Sequence, residues 1–371
     1  MVKHLILSCL LLISMNLFAD DPEILEIGQD APNFNLEGVD NKFYSLEDFS
    51  DAEVLTIVFT ANHCPTAQAY EERMKKLSAD FSSSQMQMVA ISSNHPEAVC
   101  LEELGYSDLG DTFDDMKIRA SEVEYNFPYL YDGETQEVAK AYGAVATPHV
   151  FIFDSQRKLR YRGRIDEMED PYQKPTQLNA RNAIKALLSG KPVPVETTRA
   201  FGCSMKWKSK MEWRKKLDED WANKPVEVQP IDIGGLKVLL ANQGETIRLI
   251  NFWATWCGPC VIEFPEFVEM QRMYGQRDFE VVSISVDQIS QQDKVLKFLD
   301  QKEAAFPNYI YTEKDREEMF ELVDPNWQGN IPYTLIVKPG GDVVYRHDGI
   351  IEALEVKQSV IELIGRYFAD D

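Results

Sequence analysis

One stretch of sequence, Asn251–Cys260, constrains the fold more than any other, because an apolar run leads directly into a Cys-X-X-Cys pair. The pattern predicts a strand that ends at Trp253 and a helix that starts near Cys257. This arrangement puts the first thiol at a helix N-terminus, where backbone N–H groups and the helix dipole favour a thiolate. Cys257 is then the attacking thiol in disulfide exchange, and Cys260, one turn further on, resolves the mixed disulfide. The spacing therefore predicts a redox-active Cys257–Cys260 disulfide.

Two cysteines at this spacing also form half of many zinc sites. No second Cys-X-X-Cys and no His-X3-His pattern follows in the sequence, so redox chemistry is favoured over metal binding. We expect no metal and no cofactor.

The residues Asn251–Pro265 resemble the TlpA/ResA-like branch of the thioredoxin superfamily, in which such a run is followed by Glu and Pro. Thioredoxin carries a buried Asp where this chain has Asn251. The resemblance instead implies Glu263, one turn after Cys260, as the group that assists proton transfer. The alternative for Glu263 is a solvated charge near the start of a helix.

The residues around the two cysteines also carry the resemblance. Gly258 and Pro259 separate the cysteines as in thioredoxin, whose potential lies near about −270 mV, which favours a reducing over an oxidising role. Trp256 precedes the first cysteine, and we expect these three residues to support the site.

The first half of the chain repeats this organisation. Cys64 aligns with Cys257 at an offset of 193 positions, and further segments follow in step. At this offset 58–67 aligns with 251–260 and 88–92 with 281–285, and at an offset of 184 positions 147–153 aligns with 331–337. We therefore predict an α/β protein of two tandem thioredoxin-like folds, each with a mixed central sheet flanked by helices. The predicted boundaries are 1–19 for a signal peptide, 22–190 and 226–371 for the two domains, and 191–225 for a linker with a helical segment.

Each copy has a proline at the start of a predicted strand, Pro148 in the first and Pro332 in the second. In the thioredoxin superfamily the matching proline is cis and packs opposite the active cysteine. The resemblance implies the same for both prolines, with Pro332 shaping the substrate groove.

The two copies differ chemically, because Ala67 stands in the first where Cys260 stands in the second. Residues 27–166 resemble the redoxin families, which are peroxiredoxin-like (AhpC/TSA-like), through the segments 62–65, 135–143 and 161–166. A peroxiredoxin has Pro-X3-Thr/Ser-X2 before its cysteine, whereas Ile57 and Ala61 occupy those places here. The hydroxyl that would orient a peroxide is thus absent from its usual position.

Three interpretations of Cys64 remain open. In the first, Cys64 is a redox thiol that a distant cysteine resolves, and Cys203 is favoured over Cys100 for that role. In the second, it is a single thiol that the second domain recycles. In the third, it is a packed cysteine in a domain that only binds a partner. A helix N-terminus and the adjacent His63 favour a reactive thiol. His149, directly after Pro148, is expected near Cys64 as a general base or a polar neighbour.

Two further segments bear on the first site. The acidic stretch 104–124 has little counterpart in the second copy and is predicted to be an insertion, helical after Gly110, that could cover Cys64. The island 200–207 contains Cys203 and could fold back over the first domain. Trp213, Leu217 and Trp221 follow at one-turn spacing and predict an amphipathic helix that docks through its aromatic face.

Charge and the N-terminus limit the partners and the compartment. A formal net charge of −23 argues against nucleic acid and anionic membrane surfaces as partners. Lys3 and the apolar run 5–15, followed by Ala19, predict a signal peptide and export to a bacterial periplasm. If the signal is not cleaved, it becomes a membrane anchor.

The resulting hypothesis is an exported thiol–disulfide oxidoreductase that acts on disulfide-containing exported proteins or receives electrons from a membrane donor. A first alternative makes Cys64 a thiol peroxidase with the second domain as its built-in reductant. A second alternative makes the first domain a non-catalytic module that binds a client.

Overall fold

Two mixed β-sheets organise the chain in the computed structural model, which describes residues 22–81 and 85–368. None of the helices in these ranges is long and apolar enough to cross a membrane. The predicted signal peptide at residues 1–19 lies outside the described residues.

The first sheet has, among the described residues, seven strands in the order β2-β1-β5-β4-β3-β7-β8. An interior strand, β3, is an apolar, β-branched run that is buried along its whole length and pairs parallel with β4 and antiparallel with β7. The strands of this half are β1 (Asn35–Gly38), β2 (Phe43–Ser45), β3 (Val54–Thr60), β4 (Met86–Ser92), β5 (Tyr129–Tyr131), the short β6 (Ala146–Thr147), β7 (His149–Phe153) and β8 (Leu159–Gly163).

Helices cover both faces of this sheet. They are α1 (Pro65–Phe81), α2 (Phe113–Val123), α3 (Glu137–Tyr142) and α4 (Asn179–Leu188). Strand residues alternate between two hydrophobic clusters: Val150 of β7 packs with Tyr70 of α1, whereas Phe151 packs with Tyr142 of α3 on the opposite face.

The second sheet lies within residues 229–348, all of which are described, and has six strands in the order β10-β13-β12-β11-β14-β15. Its strands are β10 (Gln229–Ile231), β11 (Ile247–Trp253), β12 (Phe279–Ser285), β13 (Asn308–Tyr311), β14 (Tyr333–Val337) and β15 (Val343–Asp348). Its helices are α6 (Ile233–Ala241), α7 (Gly258–Tyr274), α8 (Gln292–Gln301), α9 (Glu317–Val323) and α10 (Ala353–Ile364). Both halves are thus α/β folds with a mixed sheet between helices, as the repeat predicts.

The segment predicted as a linker packs largely on the first sheet. The Arg162 N–H donates to the carbonyl of Glu196 (3.0 Å), and Met205 is buried in the first core. Strand β9 (Cys203–Ser204) pairs antiparallel with β6. The structure therefore extends the first folded unit well beyond residue 190.

Helix α5 (Met211–Ala222) follows this segment and departs from the predicted mode of docking. Trp221 is buried in the second core and its indole N–H donates to the carbonyl of Glu303 (2.9 Å). Trp213, in contrast, is 56% exposed. The expectation that one continuous aromatic face docks is therefore wrong for Trp213, because only the C-terminal end of the helix reaches a core.

The insertion and the residues just before it contact the second half. Val99, before the insertion, and Leu104, at its start, lie in the core of the second half, and the Tyr274 hydroxyl of α7 donates to the carbonyl of Ser107 (2.9 Å). Further along the insertion, α2 begins at Phe113, which agrees with the helix predicted after Gly110.

Candidate functional site

The Cys-X-X-Cys pair lies at the start of α7. Cys257 is the N-cap of the helix, and its sulfur accepts a hydrogen bond from the Cys260 N–H (3.2 Å). The two cysteines form a disulfide with a Cα–Cα distance of 5.3 Å. The helix N-terminus therefore surrounds the Cys257 sulfur with N–H groups, which stabilise the thiolate once the disulfide is reduced.

Cys257 is also the more accessible of the two sulfurs. It is 5% exposed and Cys260 is 1% exposed. Around them Trp256 is 62% exposed, and Gly258 and Pro259 are also exposed. A partner disulfide thus reaches Cys257 first, across a rim formed by the three residues that the sequence predicts as supporting.

The peptide bond before Pro332 is cis, as the resemblance implies. The Cys257 sulfur lies 3.6 Å from the carbonyl oxygen of Ile331, which precedes this proline. The proline directly precedes β14 and lies next to the disulfide.

Glu263 lies one turn after Cys260 and is 3% exposed, so the alternative of a solvated charge is wrong. Its carboxylate accepts hydrogen bonds from the Asn251 side-chain amide (3.1 Å) and from the Ile351 N–H (3.0 Å). Burial raises its pKa to about 7, although both hydrogen bonds favour the charged form. Side chains three residues apart on a helix share one face, so this carboxyl is placed on the Cys260 side of α7.

The first half has the same arrangement at Cys64. This residue directly precedes α1, and its sulfur accepts a hydrogen bond from the Ala67 N–H (3.4 Å). The peptide bond before Pro148 is cis, and the Cys64 sulfur lies 3.2 Å from the carbonyl oxygen of Thr147. Cys64 is fully buried.

A buried ion pair stands beside Cys64. The His63 Nδ1 lies 2.6 Å from a carboxylate oxygen of Asp111, and both side chains are almost inaccessible. Burial disfavours the imidazolium, but Asp111 outweighs it and raises the pKa of His63. Burial by itself would raise the pKa of Cys64, but a hydrogen bond from Cys203 and the charge of His63 lower it to about 6.

Asp111 is the functional residue that the sequence interpretation missed. It lies within the acidic insertion and also accepts hydrogen bonds from the backbone N–H groups of Asn62 (2.8 Å) and His63 (3.2 Å). The predicted covering of the Cys64 site is therefore confirmed. One acidic residue among many in this stretch gave no signal of its own.

Cys203 reaches the same site from the segment after α4. It pairs with Thr147 in the β6–β9 ladder and contacts the cluster of Cys64, Ala61 and Ala67. Cys64, Cys100 and Cys203 are free thiols in the described part of the chain. Cys100 is buried, and burial followed by nearby glutamates raises its pKa to about 11, which makes it an inert thiol.

His149 lies elsewhere. Its ring packs 4.5 Å from that of Phe151, on the sheet face opposite the helix that Cys64 precedes. Burial, aided by Arg162, lowers its pKa to about 4. The prediction that His149 acts beside Cys64 is therefore wrong, because the alternation of β7 turns its side chain away.

Within residues 22–81 and 85–368, no group of three or more His, Cys, Asp or Glu side chains could hold a metal ion.

The second site and its fold place the second half in the class of thioredoxin-like folds. The sequence model of the AhpC/TSA family matches residues 27–162 and 224–346, which together make up more than half of the chain. The chain belongs to the AhpC/TSA family.

Individual relatives match shorter segments. The thiol-disulfide oxidoreductase ResA of Oceanobacillus iheyensis is 28% identical over 95 residues, which cover 26% of this chain and 45% of that protein. The thioredoxin of Coprinus comatus is 35% identical over 88 residues, which cover 24% of this chain and 76% of that protein. A crystal structure of an uncharacterized conserved protein from Geobacillus kaustophilus is 39% identical, with a TM-score of 0.45, and covers 50% of this chain and 95% of that one. The chain thus spans less than half of the ResA relative.

Proposed function

We propose that the chain is an exported thiol–disulfide oxidoreductase that reduces disulfides of exported proteins, or of a redox partner, through Cys257 and Cys260. The observation that carries the proposal is the placement of the Cys257–Cys260 disulfide at the N-terminus of α7, beside the cis proline Pro332 and the buried Glu263.

In the reduced enzyme the Cys257 thiolate attacks one sulfur of a substrate disulfide. The substrate S–S bond breaks, one substrate thiolate leaves, and a mixed disulfide forms. Cys260 then attacks the Cys257 sulfur, which releases the second substrate thiolate and restores the enzyme disulfide. The substrate gains two electrons and the two cysteines lose them.

The second attack requires Cys260 to lose its proton inside the protein. Glu263 is suited to accept it, because a carboxyl with a pKa of about 7 exchanges protons near neutral pH. Asn251 holds the carboxyl in place through its amide rather than supplying a charge of its own.

The direction of electron flow and the compartment are parts of the proposal. Gly258 and Pro259 between the cysteines favour a low, reducing potential of the disulfide. An enzyme that reduces disulfides outside the cytoplasm needs an electron donor, which we propose lies in the membrane. The apolar run 5–15 supports export to the periplasm.

The test is a trapping experiment with the reduced chain and insulin as a disulfide probe. Cys260→Ser should accumulate a mixed disulfide at Cys257, whereas Cys257→Ser should form none at Cys260, and wild type should release reduced insulin chains. An active Cys257→Ser variant, or a Cys260→Ser variant that forms no adduct, would overturn the assignment of the attacking thiol.

The peroxidase alternative gains little support at Cys64. Ala61 lies where a peroxide-orienting hydroxyl would be needed, and Cys64 is fully buried. Peroxide consumption by wild type that is lost in Cys64→Ser would restore that alternative.

A further inference from the structure

Two thiols of the first half share one hydrogen bond. Cys203 packs against Cys64, and the interaction between the two sulfurs lowers the pKa of Cys64 and raises that of Cys203. The pair therefore holds one proton between two sulfurs, with the negative charge on Cys64.

The backbone is built to bring Cys203 to this place. Its strand pairs with the residue that precedes the cis proline, with Cys203 opposite Thr147. Gly202 has a φ of +134°, and a Cβ there would meet the Thr147 carbonyl oxygen at 2.1 Å. Only glycine lets the segment approach so closely.

A network of polar contacts also holds the segment that carries Cys203 in place. The Asn94 side chain donates to Asp111 (2.7 Å) and accepts from the Lys206 N–H (2.8 Å). One amide thus connects the carboxylate that keeps His63 charged with the segment that carries Cys203. The imidazolium and the second thiol are held at Cys64 by the same set of contacts.

Access distinguishes the two sulfurs. Cys64 is fully buried, whereas Cys203 is partly exposed. A partner can therefore reach Cys203 at the surface but cannot reach Cys64 directly.

We propose that Cys64 and Cys203 form a second dithiol–disulfide centre, which exchanges with external disulfides through Cys203 as the entry thiol. This centre is separate from the one at Cys257 and Cys260, and it gives the first half a chemical role of its own.

The exchange with a disulfide RSSR is balanced. Cys203 passes its proton to Cys64 and attacks RSSR, so that a Cys203–SR bond forms, the RS–SR bond breaks and RS⁻ leaves. Cys64 gives the proton to this RS⁻, attacks the Cys203 sulfur, forms the Cys64–Cys203 bond and releases a second RS⁻. The two cysteines lose two electrons, and RSSR becomes RSH and RS⁻.

The test uses the full chain with Cys257→Ser and Cys260→Ser, so that only the first centre can react, and oxidised glutathione as the probe. Acid-quenched samples are alkylated and every cysteine is mapped by mass spectrometry. We expect a Cys64–Cys203 disulfide. Adding Cys64→Ser should leave glutathione attached to Cys203, whereas adding Cys203→Ser should leave Cys64 unmodified.

A positioning role for His63 is tested in the same assay. His63→Gln should slow conversion of the Cys203 adduct to the disulfide, about tenfold for each unit by which the Cys64 pKa rises above the ambient pH. Cys100→Ser should change nothing.

Two outcomes would overturn the proposal: both thiols stay reduced, or a glutathione adduct persists on Cys203 while Cys64 is present. Circular dichroism of each variant shows whether it is folded. Oxidation of Cys257 and Cys260 in single Cys64→Ser and Cys203→Ser variants reports separately on the proposed function.

Discussion

The buried carboxyl of Glu263 should make the stability of the second domain depend on pH. A pKa raised from 4.5 to about 7 means that the folded state prefers the protonated acid by about 3 kcal/mol, since each pKa unit corresponds to about 1.4 kcal/mol. Between these two pH values the folded state binds a proton that the unfolded state has lost. The stability from this group is therefore fully present below pH 4.5 and is lost as the pH rises through about 7.

Glu263→Gln should remove this dependence, because glutamine resembles the protonated acid and cannot ionise. We expect the oxidised variant to match wild type near pH 4.5 and to be more stable at pH 8 by about 2 to 3 kcal/mol. Urea unfolding of both proteins at several pH values measures the difference, in which the contributions of all other groups cancel.

Glu269→Gln on the same helix is the matched control, since Glu269 pairs with Lys357 at the surface rather than with buried donors. It should keep the pH dependence of wild type. Equal loss of stability from pH 5 to pH 8 in wild type and Glu263→Gln would refute the reasoning, because it would mean that the carboxyl is ionised in both folded and unfolded states.

Three further perturbations follow from the contacts around the first site and the interface. His63→Gln should raise the Cys64 pKa from about 6, seen as a shift to higher pH in the thiolate absorbance at 240 nm. Gly202→Ala should abolish the disulfide with Cys64, because its Cβ would meet the Thr147 carbonyl oxygen at 2.1 Å. Arg272→Met breaks ion pairs with Glu102 and Asp218 and should lower the free energy of unfolding by about 2 kcal/mol.

Each of these has a control in the same chain. Asp111→Asn should shift the Cys64 titration in the same direction as His63→Gln, since the carboxylate keeps the imidazole charged. Gly190→Ala also places a side chain at positive φ, but with nothing within 4 Å, and should leave the disulfide intact. Lys237→Met removes an exposed ion pair with Glu318 and should change stability by less than about 0.5 kcal/mol.

The fold was predictable because the strongest signals are local. Apolar runs such as 54–60 and 247–253 specify strands wherever they occur, and each cysteine motif follows one of them directly. Repetition of this order along the chain then predicts the second sheet from the first. The cis prolines were implied by the family resemblance, not by the residues themselves.

The electrostatics of the first site could not be predicted in the same way. Asp111 lies 48 positions from His63 in the chain, and nothing in the stretch around it distinguishes it from other acidic residues. The burial of Glu263 was also hard to predict, because a charged residue near the start of a helix usually faces water. Only the packing of Ile351 and Asn251 around it shows that the carboxyl is buried.

The two halves differ in where the second thiol of the site comes from. The Ala67 N–H donates to the Cys64 sulfur, as the Cys260 N–H donates to the Cys257 sulfur. The helix N-terminus is therefore the same in both halves, but the first half has an alanine side chain where the second has a cysteine. The second thiol then comes from outside the fold, from a segment that crosses the cis proline. The strand that carries Cys203 pairs with Thr147, the residue before the cis proline Pro148, and our proposal therefore assigns to Cys203 the entry role that it assigns to Cys257 in the second half.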